Sequence, residues 1–341
     1  METYEILKAL TDKQGVSGFE GDISSFAAEM LFPFCDEVYG NRFKSVIGFK
    51  KSQNKNAKKL MIEAHLDQIG LMVSKFKGDG FLEFLAVGGV DSRILQGSEV
   101  IILGKEKVYG IIGAKPPHLS SKEDKDKVPK ISEMVIDTGL NEKELKEKIS
   151  VGDSIVFKSG LTKLLGNACF SSAMDNRAGV AAILKAAEKI SSSPYDLYFA
   201  FASEEEVGLH GAYTLAEEIR PDLAVVIDVT HGMTPDAKDE TGVFKTGCGA
   251  VIGRGPNFDG KFTDEIIKIA KEKNIKYEIE VASGNSGTDA WAIQNSFGGA
   301  KTALISIPVK YMHTSVETLD LGDVEAVSDL IKNIAEVEIN A

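Results

Sequence analysis

The chain has 341 residues, 43% of them hydrophobic and 26% charged, with a net charge of −12. That length suits two domains, or one large domain carrying an insertion, with a sizeable core. The acidic balance, with no dense stripe of Lys and Arg, argues against nucleic acid or anionic lipid as a partner, and no apolar run approaches the ~20 residues that span a bilayer.

In chain order, METYEILKALTDKQG reads as an amphipathic helix with Tyr4, Leu7, Ala9 and Leu10 on its apolar face, not as a signal peptide. A second helix is predicted over about residues 19–31, and extended segments over 45–50 and 59–66. From about residue 70 to 160 the texture changes. Short apolar runs such as LMVSKF, FLEFLAV, EVIIL and VYGIIGA alternate with turn signals, which predicts a small β-rich, barrel-like module. Within it, residues 120–130 form a charged segment expected to be mobile. A short helix near 141–149 has Asn141 as N-cap and Glu144 three residues on.

After Gly166 strands and helices alternate. Val180, Ile183, Leu184, Ala187 and Ile190 keep a 3.6-residue period behind Asp175. DLYFAFAS, LAVVIDV, YEIEVA and TALISIPV read as strands, with helices expected at about 208–219, 263–273, from Thr288, and through Val324, Val327, Leu330, Ile331 and Ile334. Such alternation predicts an α/β fold with a mostly parallel central sheet flanked by helices, interrupted by the β-barrel-like insertion. The expected division is 1–69 and 163–341 for the main domain and 70–162 for the insertion. Cys35, Cys169 and Cys248 are too few and too scattered for a disulfide framework or a Cys-rich metal knuckle. A cytoplasmic location is the expectation.

Ligands of open α/β sheets sit beyond the carboxyl ends of the strands, and the reactive residues of this sequence cluster at such ends. His65 and Asp67 follow LMIEA at i and i+2, so they are expected to face one side. They could form a plain structural pair, or a metal-binding His with its orienting carboxylate. Asp175 opens a helix, where Asp is a favoured N-cap, although two carboxylate oxygens can also bridge two cations. Glu204, Glu205 and Glu206 directly follow FAFAS. A helix N-terminus favours an acid by only ~0.3–1 kcal/mol, too little to gather three mutually repelling carboxylates, whereas a multivalent cation would. Asp228 within VVIDV needs a partner, which could be a metal, His231 or Lys310. His313 follows TALISIPV in KYMHTS. Two His with three carboxylates suit zinc, or cobalt. Asp175, Glu206 and Asp228 nearly neutralise two divalent ions, and one hydroxide would complete the balance. The glycines at 247, 249, 253 and 255 lack dinucleotide-fingerprint spacing, and neither a phosphate loop nor a nucleophile elbow occurs.

The stretches EAHLDQIG, IIGAKPPHL, SAMDNRAGVAAIL, SEEEVGLHGA, VVIDVTHG, SGTDAWAIQ and IPVKYMHTSVETL span nearly the whole chain. In them the sequence resembles the tetrahedral aminopeptidase family, whose members are also labelled glutamyl aminopeptidase and cellulase-M. The resemblance implies that Asp175 bridges two metal ions, that Glu206 and His313 complete one site, and that His65 and Asp228 complete the other. It implies Asp67 as the residue orienting His65 and Glu205 as general base, and it leaves Glu204 without a role. It further implies peptide substrates with a free N-terminus and a homo-oligomer, a hollow tetrahedral dodecamer. The rival expectations are a related amidohydrolase acting on small amides, a metal-independent glycoside hydrolase, and a non-enzymatic shell protein stapled by ions.

Overall fold

The computed structural model describes residues 1–119, 127–237 and 242–339. Most of the charged segment 120–130, expected to be mobile, lies outside the described residues. The chain opens with α1 (Thr3–Thr11) and α2 (Gly21–Leu31), then strands β1 (Glu37–Gly40), β2 (Val46–Lys50) and β3 (Lys59–His65). The texture change at residue 70 marks a separate structure. β4 (Gly70–Gly78), β5 (Phe81–Val87), β6 (Glu99–Leu103), β7 (Lys107–Ala114), β8 (Met134–Asp137) and β9 (Ser154–Phe157) close into a barrel in the order β4-β5-β8-β7-β6-β9. Alternate residues such as Leu71, Val73, Leu82, Phe84, Val100 and Ile102 fill its interior. Helix α3 (Glu142–Lys148) carries the expected cap: Asn141 accepts the Glu144 N–H, and the Glu144 side chain returns to the Asn141 N–H.

The chain then returns through β10 (Thr162–Lys163) and β11 (Ala168–Ser171) to α4 (Met174–Lys189), β12 (Asp196–Ala202), α5 (His210–Ile219) and β13 (Leu223–His231). It ends with β14 (Ala250–Arg254), α6 (Gly260–Glu272), β15 (Tyr277–Val281), α7 (Asp289–Asn295), β16 (Lys301–Val309), β17 (Glu317–Asp320) and α8 (Leu321–Glu336). The main sheet has eight strands in the order β1-β2-β12-β3-β13-β16-β14-β15. Its centre, β12-β3-β13-β16, is parallel throughout. β14 meets β16 antiparallel. β10, β11 and β17 form a small separate sheet.

Both faces of the sheet are covered, which explains strands that read as continuous apolar runs. Leu60, Ile62 and Val225 pack with α1, α2, α4, α6 and α8. Met61, Ala224 and Val226 pack with α5 and α7 on the other side. Strand β14 was not foreseen, because flanking glycines broke its apolar pattern. Among the described residues no helix is long and apolar enough to cross a membrane, and all three cysteines are free.

Candidate active site

Four adjacent parallel strands end together, and each delivers residues to one spot. β3 ends in His65, β12 runs into Glu204–Glu206, β13 carries Asp228, and the chain leaving β16 carries His313. Asp175 comes from the start of α4. There Asp175 and Asn176 depart from helical geometry, so helix proper begins after them. The N-cap reading of Asp175 fails, because its carboxylate makes no cap bond. Asn176 Oδ1 takes the Gly179 N–H instead, at 3.1 Å, and Asn176 Nδ2 donates to the Ile227 carbonyl at 2.7 Å.

The two oxygens of Asp175 face different imidazoles. Oδ1 lies 3.1 Å from His65 Nε2, and Oδ2 lies 3.4 Å from His313 Nε2. His65 Nε2 is 3.7 Å from Asp228 Oδ1, and His313 Nε2 is 3.5 Å from Glu206 Oε2. Two groups of ligand atoms result, His65–Asp175–Asp228 and Asp175–Glu206–His313, each with its atoms within 4.8 Å of one another. Asp228 forms no ion pair with His231 or Lys310. Its Oδ1 accepts the Val229 N–H at 2.8 Å.

The far nitrogen of each His is spoken for. His65 Nδ1 lies 3.2 Å from the Asp67 carbonyl and 3.5 Å from Asp67 Oδ1. His313 Nδ1 lies 3.0 Å from the Gly89 carbonyl, in the loop after β5 of the barrel. Placing the proton on Nδ1 in both rings leaves Nε2 as a lone-pair donor toward the cluster. Asp67 does more than orient His65. Its Oδ1 accepts the Glu205 N–H at 3.0 Å, its Oδ2 accepts the Glu206 N–H at 3.2 Å, and Ser17 Oγ also donates to it. Glu205 Oε2 lies 3.9 Å from His65 Nε2.

The electrostatics describe a pocket crowded with buried carboxylates. Burial pushes Glu205 up to about 10; His65 opposes this, while Asp289, Asp228 and Glu206 add to it. Burial and then Asp175 push Glu206 up to about 8. Burial also raises Asp228. The hydrogen bond to Asp175 raises His313 to about 9 despite its own burial. Burial works against a charge on His65, but Glu205, Asp175, Asp228 and Asp67 outweigh it and lift the imidazole well above its ordinary value. So many carboxylates closed away together call for cations, and the nitrogen and oxygen donors present suit zinc-like metals.

Sequence reasoning missed four contributors. Glu317 is buried on β17; its carboxylate accepts the Asp175 N–H at 3.1 Å and the His313 N–H at 2.8 Å, tying two sides of the cluster together. Glu63 and Asp289 form a buried acid pair behind His65. Burial raises both, Glu63 to about 8, and their oxygens have no other partner among the described residues. Gly89 is the fourth. The three acids lie in the stretches EAHLDQIG, SGTDAWAIQ and IPVKYMHTSVETL and Gly89 in a turn signal, but no local pattern marks what they touch. Glu204 stands apart from the cluster: its backbone takes a positive φ of 55° and its carboxylate bonds His210 Nδ1 at 2.9 Å.

Residues 44–330 match the model of the M42 glutamyl aminopeptidase family. The chain belongs to that family. A lysyl aminopeptidase of Pyrococcus furiosus is 32% identical to it, over 98% of this chain and 97% of its own. Aminopeptidase APDkam598 of the archaeon Desulfurococcus kamchatkensis superposes with a TM-score of 0.93 at 35% identity, over 99% of this chain and 95% of its own. The TET1 peptidase of Pyrococcus horikoshii, which can assemble into a tetrahedron or a large octahedral shell, superposes with a TM-score of 0.86 at 32% identity, over 99% of this chain and 100% of its own. As an M42 member the chain is a hydrolase acting on peptide bonds, and the interrupted α/β architecture is that of its M42 relatives.

Proposed function

We propose that this M42 peptidase is an aminopeptidase working with two divalent metal ions, zinc or cobalt. Asp175 would bridge them, with His65 and Asp228 completing one position and Glu206 and His313 the other. The observation that carries this is the split of Asp175, one oxygen toward each imidazole, with a separate carboxylate beside each ring. When bound, such ions supply Lewis acidity that lowers the pKa of water and polarises a peptide carbonyl.

The chain's own residues do the rest. Asp67 holds the backbone of Glu205 and Glu206, which keeps the two side chains in step. Glu205 is the general base. Its carboxylate takes the proton of the attacking water and returns it to the leaving amine. In the bare pocket burial holds Glu205 protonated, and positive charge brought alongside draws it back toward the ionised form that a base requires. The adjoining cavity, about 580 Å³, admits the first residue of a peptide. We further propose a homo-oligomer of the tetrahedral dodecamer type, supported by the likeness to the Pyrococcus horikoshii TET1 peptidase.

The test is a panel of aminoacyl 4-nitroanilides with chelator and after metal add-back. Cleavage lost with chelator and restored by zinc or cobalt is expected. Cleavage untouched by thorough metal removal would overturn the metal assignment.

A further inference from the structure

We propose that Glu280 selects peptides whose first residue is cationic, lysine or arginine; the proposal rests on the aminopeptidase reading above and concerns the same cavity. Five acids line that cavity, and among the described lining residues none is Lys or Arg. Three of the acids, Asp175, Glu206 and Asp228, fall within the ligand groups, and a fourth, Glu205, is the proposed base beside them. Two divalent cations would lie against those four. Glu280 is then the one acid among the described lining residues that neither binds a metal nor serves as base in this scheme.

Its placement fits the end of a side-chain pocket. Glu280 stands on β15, on the wall formed by the far strands of the sheet. Its Oε1 accepts the Thr230 hydroxyl at 3.0 Å. Thr230 follows the proposed ligand Asp228 by two residues on β13, so both point to one face, about 7 Å apart along the strand. Glu280 is therefore held in reach of a residue docked at the metals but is not itself among the ligand groups.

Its second oxygen carries no hydrogen bond, and its carboxylate forms no ion pair among the described residues. His231 on the same rim stays beyond ion-pair distance. A half-buried carboxylate with a free oxygen can take a cation; burial raises its pKa, with Thr230 and His231 working against that push. One side of the cavity that leads to it is apolar. Leu304 and Phe258 line the wall, and Gly253 keeps that wall flat, since a Cβ there would come within 2.9 Å of Phe258 and 3.1 Å of Leu304. An aliphatic stem ending in a positive group matches this sequence of surfaces, as the stems of Lys and Arg lie along apolar surface while their heads seek charge. A glutamyl side chain would meet a like charge instead.

The test is kcat/KM of the metal-loaded full-length protein on lysyl, arginyl, leucyl and glutamyl 4-nitroanilides. The expected result is lysyl and arginyl above leucyl and glutamyl by about tenfold or more, and Glu280→Gln lowering the lysyl-to-leucyl ratio about 10- to 100-fold. Glu280→Lys should raise the glutamyl-to-lysyl ratio. A wild type that favours leucyl or glutamyl substrate overturns the proposal without needing any variant. So does a Glu280→Gln protein, folded by its melting temperature, that loses all four activities in equal proportion, which would make Glu280 an anchor for the common α-amino group. Chelator-sensitive cleavage of any of the four substrates leaves the aminopeptidase reading standing when the lysyl preference fails. No cleavage of any of them sinks both.

Discussion

At the scale of single residues, the division of labour between Glu205 and Glu206 is the sharpest consequence of the geometry. The two are neighbours in sequence and share Asp67 as anchor, yet only Glu206 falls within a ligand group. Glu205→Gln keeps the shape and the N–H held by Asp67 but removes the basic carboxylate. It should lower kcat by about 10²- to 10⁴-fold while bound metal, read by elemental analysis, stays at the wild-type level. A variant with near-normal kcat would dismiss Glu205 as base, and one that lost metal would make it a ligand. Glu317 shows why residue-level foresight has limits. An acid between Val and Thr in HTSVETL carries no periodic or motif signal, and its bonds to Asp175 and His313 exist only because β17 folds back beside α4.

At the scale of elements, much was legible and for definite reasons. The strands of the parallel centre are buried on both faces, so they announce themselves as apolar runs. The helix of α4 follows from the spacing of Val180, Ile183, Leu184 and Ala187. Asp228 was readable as a candidate because an acid inside an apolar run is costly without a partner, His65 because it pairs with Asp67 at i and i+2 just past such a run, and His313 because it follows one. What stayed hidden depends on contacts between distant segments. The pair Gly88-Gly89 reads as turn punctuation, yet Gly89 presses its backbone against a proposed ligand: a Cβ there would lie 2.8 Å from His313 Nδ1. Gly89→Ala should therefore displace His313 without altering any ligand, weakening metal affinity about 10- to 100-fold in chelator competition. Unchanged affinity would mean that the barrel loop does not position the ring.

At the scale of the whole molecule, metal and fold are coupled through charge. In the metal-free protein Glu206 is raised from 4.5 to about 8 and His313 from 6.5 to about 9. Both folded values exceed the unfolded ones, so the stability they contribute is complete only below the unfolded values. It is lost as pH rises through about 8 and 9. The chelated protein should thus melt at progressively lower temperature between about pH 6 and pH 9. The metal-loaded protein, its carboxylates matched by cations, should hold its melting temperature over that range. Parallel pH profiles for the two forms would show that the cluster does not bind metal. The proposed positions also differ in depth: the His65 side chain is 2% exposed and that of His313 is 33% exposed. Exchange kinetics should follow that asymmetry, the outer ion trading with the medium while the inner one stays, so that brief exposure to a foreign metal yields a mixed pair with the original ion still at the His65 side.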